Sequence, residues 1–224
     1  MPSAAPRVPR PRPPADHALA LAPAPPAPAA VTRARVLLLG LFGLTGITFS
    51  SWLARIPTVR DLLDLSTAQL GAMLLVGSLG ALVTVSVAGV VVQRYGSRRS
   101  LVASTAVLAV GYVLMGIGPT VGSAALLAAG VFLNGIAIPL GNLPINVESA
   151  RIERAMGRTV IPQFHAAFSI GAVTGSGIGA AASHASVPLT VQFSAIAALV
   201  VVWRLASLRG VVLATTPDEH ARAA

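Results

Sequence analysis

Three asparagines, Asn134, Asn142 and Asn146, stand in one long apolar run together with Pro139 and Pro144. At 100° per residue they fall within an arc of about 120°, on one side of a helix. Amides are costly against hydrocarbon, so such a stripe faces protein or a water-filled cavity, and the two prolines imply a kinked helix. The chemistry on offer is hydrogen bonding, either between helices or to a polar solute. Beyond the run come Glu148, Arg151, Glu153 and Arg154, spaced as helix-surface ion pairs. Glu148 lies nearest the apolar boundary and His165 opens the next apolar run. An acid and an imidazole meeting at a membrane edge can exchange a proton near neutral pH, which makes these two residues candidates for proton coupling. Near the end of the first apolar run, Trp52 is expected to anchor at an interface and Arg60 to be a loop charge. Arg55 is a candidate contact for an anionic or hydroxylated solute.

Other chemistries are excluded. Without cysteine there is no disulfide, thiolate zinc site or cysteine nucleophile. There is no Gly-Lys-Ser phosphate loop and no His-Glu-x-x-His, and Thr174-Gly175-Ser176-Gly177 has threonine where an intramembrane serine protease needs glycine. No catalytic site, metal or cofactor is expected.

The elements that must position these residues are membrane spans. Of 224 residues, 54% are hydrophobic and 10% charged, against about 25% charged in a soluble domain, so the chain lacks the polar surface to cover a water-soluble globule. Six runs reach the roughly 20 residues that cross a hydrocarbon core: about Val36 to Leu53, Leu70 to Val92, Leu101 to Gly118, Val121 to Val147, Gln163 to Ser183 and Val187 to Trp203. The third and fourth are separated by Pro119 and Thr120, where a tight turn is expected. Gly171, Gly175 and Gly179 repeat every four residues in the fifth run, a spacing that permits close helix packing.

All sixteen basic residues are arginine, and with seven acids the formal charge is +9. On a soluble chain that would suggest nucleic acid; here topology accounts for it and no nucleic-acid partner is expected. One set of alternate segments carries fourteen arginines, Arg204 and Arg209 among them, and the other only Arg55 and Arg60. Basic loops stay inside, so both termini are expected in the cytoplasm, with an even number of spans across a cell (inner or plasma) membrane. Residues 1–32 hold ten of seventeen prolines and read as a disordered basic tail. Ala18 to Ala22 is too short and proline-bounded for a secretory signal, so the tail is expected to stay attached.

The loop after the second run reads Gly89-Val-Val-Val-Gln93-Arg94-Tyr95-Gly96-Ser97-Arg98-Arg99. It resembles the loop between spans two and three of the major facilitator superfamily, Gly-x-x-x-Asp-Arg/Lys-x-Gly-x-Arg/Lys-Arg/Lys, with Gln93 in the place of the family's Asp. In this pattern Gly89 lets two helices approach, Gly96 permits a positive-φ turn, and Arg94, Arg98 and Arg99 face headgroups or helix C-termini. The resemblance implies a loop that locks the two halves of a carrier in one state, and Gln93 keeps a hydrogen bond without the charge. Trp52-Leu-Ala-Arg55-Ile-Pro57 and the stretch from Asn146 through Ser169 resemble a fucose-permease-like branch of prokaryotic carriers. Because the family's first and fourth spans line its cavity, the resemblance adds Thr45 and Thr48 to Arg55, Asn134, Asn142 and Asn146 as candidate substrate-binding residues.

The implied fold class is an all-α integral membrane protein: six transmembrane helices over residues 33–209, a half bundle of two three-helix inverted repeats, followed by a polar tail over 210–224. The implied activity is transport of a small solute by alternating access. One half bares its cavity face, so the expected partners are the bilayer, a small-molecule solute, and a second six-helix half or a second copy. The alternative is a truncated or non-transporting membrane component.

Overall fold

The computed structural model describes residues 27–212, and every regular element among them is an α-helix. The helices are α1 (Pro28–Ala54), α2 (Ile56–Leu62), α3 (Thr67–Thr120), α4 (Ala124–Met156), α5 (Ile161–His184) and α6 (Leu189–Val211). Five stretches are long and apolar enough to cross a membrane: Pro28–Leu62, which joins α1 to α2, and each of α3 to α6.

α3 contains 54 residues. At 1.5 Å per residue that is about 81 Å, more than twice a hydrocarbon core of roughly 30 Å. It is broken at Gly96, whose φ of 82° and ψ of 159° lie outside the helical region, so helical segments run on either side of it. This is the positive φ anticipated at Gly96, a conformation that a side chain with a Cβ rarely adopts.

Several boundaries differ from the sequence reading. Pro28 to Thr32, assigned to the tail, form the first turn of α1; proline suits that position because a helix's first N–H groups have no partner within it. Residues 1–26 and 213–224, the remainder of the two expected tails, lie outside the described residues. The turn before α4 is Val121–Ser123, with Gly122 at φ 68°, while Pro119 and Thr120 complete α3. α6 continues past Trp203 to Val211 and so takes in Arg204 and Arg209, both assigned to a loop.

The starts and stops have local causes. Ser66 and Gln69 form a capping box at α3, with Gln69 N–H donating to Ser66 Oγ at 3.2 Å and Ser66 N–H to Gln69 Oε1 at 2.9 Å. Gly157 closes α4 in the left-handed conformation. Glu153 Oε2 accepts from the backbone N–H of Val160 at 2.8 Å and Ile161 at 3.0 Å, tying the end of α4 to the start of α5.

α4 packs on both segments of α3, α1 packs along α5, and α6 lies against α3 and α1. The α1–α5 seam uses the glycine series: Cβ atoms on Gly171, Gly175 and Gly179 would run into Gly43, Ile47 and the Ser51–Ala54 turn of α1. Gly89 behaves otherwise. A Cβ there would meet nothing within 4 Å, so the close helix approach expected at this glycine is not made within the described residues. Gly89 lies nine residues, about half a turn, around the helix from Gly80, which faces α4.

The buried apolar residues form two clusters. One gathers Val31, Leu38, Leu41 and Phe42 of α1 with Leu101, Ile145, Ile152, Phe164, Leu208 and Val211. The other gathers Trp52, Val59, Leu108, Tyr112, Met115, Leu127, Val131, Phe193 and Val200. The outer face is apolar too, with Leu82 68% and Val173 76% exposed, as suits a chain whose solvent is lipid.

Candidate functional site

Near where the two apolar clusters meet, four helices present polar side chains: Thr45 and Thr48 on α1, Ser104 on α3, Asn134 and Asn142 on α4, and Arg204 on α6. This layer borders a partly open cavity of about 180 Å³ lined by Thr45, Thr48, Phe49, Leu108, Tyr112, Asn134, Ile138, Asn142, Phe168 and Arg204. A second recess, of about 230 Å³, shares Thr45, Asn142 and Phe168 with it and adds Phe42, Ile145, Asn146 and His165. Of the six residues expected to bind solute, Thr45, Thr48, Asn134, Asn142 and Asn146 therefore line two adjoining spaces. Their common placement follows from the α1 and α4 stripes facing each other across the bundle.

The lining is pre-set in its hydrogen bonding. Thr45 and Thr48 donate to the carbonyls of Leu41 and Leu44, at 2.8 Å and 2.7 Å, leaving their oxygens as acceptors. Tyr112 donates its hydroxyl to the Thr48 carbonyl at 2.6 Å. Asn146 Nδ2 donates to the Asn142 carbonyl at 2.8 Å. Asn134, 8% exposed, has a buried Oδ1 with no partner among the described residues.

Two arginines change places relative to the sequence reading. Arg55, expected as a solute contact, is 2% exposed, lines neither space, and donates Nη2 to the Val187 carbonyl at 2.7 Å. It ties the end of α1 to the α5–α6 loop, because the helix stops at Ala54 and the side chain turns along the bundle end. Arg204, expected as a loop charge, is 4% exposed on the cavity wall. Its Nη1 donates to Ser104 Oγ at 3.1 Å. The only sign of it in the sequence is that the chain returns to apolar residues after Arg204 rather than staying polar.

Glu148 and His165 face different recesses, so the pairing expected of them is not formed. Glu148, 1% exposed, sits among Ser97, Leu101, Pro144, Ile145 and Val211 and accepts from Arg151 Nη1 at 3.0 Å. His165 stands edge-on to Phe42, with ring centroids 5.6 Å apart, in the recess of Asn142 and Asn146. Two residues along a helix rotate a side chain by about 200°, which turns Glu148 away from the face that carries Asn146. In the loop motif Gln93, Arg94, Arg98 and Arg99 are exposed, and Arg94 lies 5.8 Å from the ring centroid of Tyr95.

Comparison with known proteins fits this architecture. The profile described as Major Facilitator Superfamily matches residues 3–160. An uncharacterized transporter of Sinorhizobium fredii is 31% identical over 152 residues, 68% of this chain and 40% of the relative. An uncharacterized MFS-type transporter of Yersinia pestis is 25% identical over 136 residues, 61% of this chain and 35% of the relative. The membrane protein MosC of Rhizobium meliloti is 32% identical over 78 residues, 35% of this chain and 19% of the relative. The chain thus spans two fifths or less of the length of each relative, and no solved structure matches it. Apolar helices of spanning length, the glycine–arginine loop broken at Gly96 and a profile match over more than half the chain identify a multi-pass membrane protein that belongs to the Major Facilitator Superfamily.

Proposed function

We propose that this chain is half of a carrier that moves a small solute across a cell membrane by alternating access. In this reading α3 crosses the bilayer twice, turning at Gly96, which makes six spans in two inverted three-helix repeats with both termini in the cytoplasm. The observation that carries it is the polar layer near where two apolar clusters meet, a solute-sized space at mid-bundle lined by side chains with acceptor capacity left over. Thr45, Thr48, Asn134, Asn142 and Asn146 are its solute contacts. The short share of each relative covered supports a second six-helix half as the partner that closes the cavity. The exposed loop residues Gly89, Gln93, Arg94, Gly96, Arg98 and Arg99 contact that partner in one state of the cycle.

The test is uptake by the full chain in proteoliposomes, screened with sugars, amino acids and organic anions. Asn142→Leu is expected to abolish uptake, because it replaces an amide shared by both spaces with an apolar side chain of the same branched shape. Uptake unchanged in Asn142→Leu refutes this cavity as the path. Since Glu148 and His165 stand apart, their parts in coupling are separable: Glu148→Gln and His165→Ala each test one, and a pH profile of uptake unaltered in both removes them as protonation sites.

A further inference from the structure

Arg204 is a cation inside the bundle with nothing anionic beside it. No carboxylate lies within ion-pair distance of it among the described residues; its hydrogen bond is to a neutral hydroxyl, Ser104 Oγ. A buried charge without a counter-charge is costly, and inside a membrane protein such a charge faces a cavity or a pathway. The surroundings are shaped to hold it. Across the gap α4 carries Gly141, where a Cβ would come 3.1 Å from Nη1, 3.3 Å from Nη2 and 2.9 Å from Ser104 Oγ. The guanidinium is therefore seated between α3 and α4 by a hydroxyl on one side and a missing side chain on the other. Arg55 has two nitrogens sealed from solvent without a partner; Arg204 has none. The N–H groups not spent on Ser104 thus keep access to the cavity that the residue lines.

We propose that Arg204 is the anion-binding group of this cavity and that the solute is a small oxyanion, a carboxylate or phosphate, which also carries a hydroxyl or amine. The inference rests on the cavity's being the solute site. Guanidinium offers a planar, permanently charged fork matched to an oxyanion, and one anion there supplies the counter-charge the protein lacks. The second part of the assignment comes from Thr45 and Thr48, whose hydroxyl oxygens keep acceptor capacity on the cavity wall. A donor group on the solute satisfies them, so the cavity pairs a cationic wall with an acceptor-rich one.

The experiment is thermal unfolding of the full chain in detergent at constant ionic strength, with sodium lactate, sodium phosphate, sodium chloride or glycerol as probe. Lactate or phosphate is expected to raise Tm by at least about 3 °C near saturation, with chloride and glycerol ineffective. Arg204→Gln is expected to weaken the effective oxyanion at least about tenfold. Gly141→Ala keeps the charge but crowds the guanidinium, and is expected to weaken the same probe; it decides the matter should Arg204→Gln fail to fold. An equal oxyanion shift in Arg204→Gln would mean that the arginine only braces helices, and overturns the proposal. Stabilisation by glycerol alone, lost in Asn142→Leu, overturns the anion assignment while leaving the cavity as a solute site. Stabilisation by none of the probes overturns the assignment as well, and the uptake of neutral solutes then judges the carrier reading separately.

Discussion

Two glycines one turn-fraction apart on α5 are expected to respond oppositely to the same added methyl. A Cβ on Gly175 would lie 2.7 Å from Ile47 Cα and 2.9 Å from Ile47 C, and would overlap the Ile47 carbonyl oxygen. All three are backbone atoms, so no rotamer change relieves the clash. Ordinary contact begins at 3.4 Å, and clearing Ile47 Cα alone requires α1 and α5 to part by at least about 0.7 Å (3.4 less 2.7). A gap of that size forfeits roughly a quarter to a half of each dispersion contact along the seam. The loss reaches Gly171 against Gly43 and Gly179 against Ser51, because the helices move as rods. Overpacking of this kind costs about 1–3 kcal/mol, or some 2–12 °C in Tm for a chain of this length. Gly177 is exposed, and a Cβ there meets nothing within 4 Å. Gly177→Ala is expected to be neutral or to stabilise by up to about 1 kcal/mol through helix propensity. The assay is apparent Tm in one detergent at one scan rate, since membrane proteins often unfold irreversibly. Equal Tm values for Gly175→Ala and Gly177→Ala would refute the backbone-contact seam.

Three further outcomes test other parts of the fold. Tyr112→Phe deletes the hydroxyl bonded to the Thr48 carbonyl at 2.6 Å and is expected to cost about 1 kcal/mol, read as a fall of roughly 2–4 °C in Tm. Gly96→Ala forces a Cβ into φ 82°, ψ 159° and is expected to cost about 1–3 kcal/mol although the site is open; a wild-type Tm would mean the α3 break needs no glycine. Glu153→Ala removes the acceptor for the N–H groups of Val160 and Ile161 and is expected to loosen the start of α5, seen as faster hydrogen exchange there, whereas Glu153→Gln retains an acceptor and changes it less.

The membrane class, the helical runs, the break at Gly96 and the glycine seam of α5 were legible in the chain because each depends on local properties. Apolar length meets a fixed bilayer thickness, a positive φ with an extended ψ favours a residue without Cβ, and four-residue glycine spacing makes a groove whichever helix fills it. The asparagine stripe was legible for the same reason, since helical period fixes which residues share a face. What that period leaves open is the neighbour. Gly89 and Gly80 look alike in sequence, yet only Gly80 meets another helix of the described chain.

The arginines mark the division most clearly. Arg55 and Arg204 are the same residue type, each near the end of an apolar run, and composition assigns the first to solute and the second to a loop. In the folded chain Arg55 caps a carbonyl at the bundle end, while α6 continues for two more turns and carries Arg204 into the polar layer opposite Gly141. The sequence by itself determined that this is a helical membrane protein with a polar face on α4, to which the family resemblance added two threonines of α1. Only the tertiary structure decided which charge meets that face, because the answer depends on how far each helix runs and on which backbone leaves room for a guanidinium.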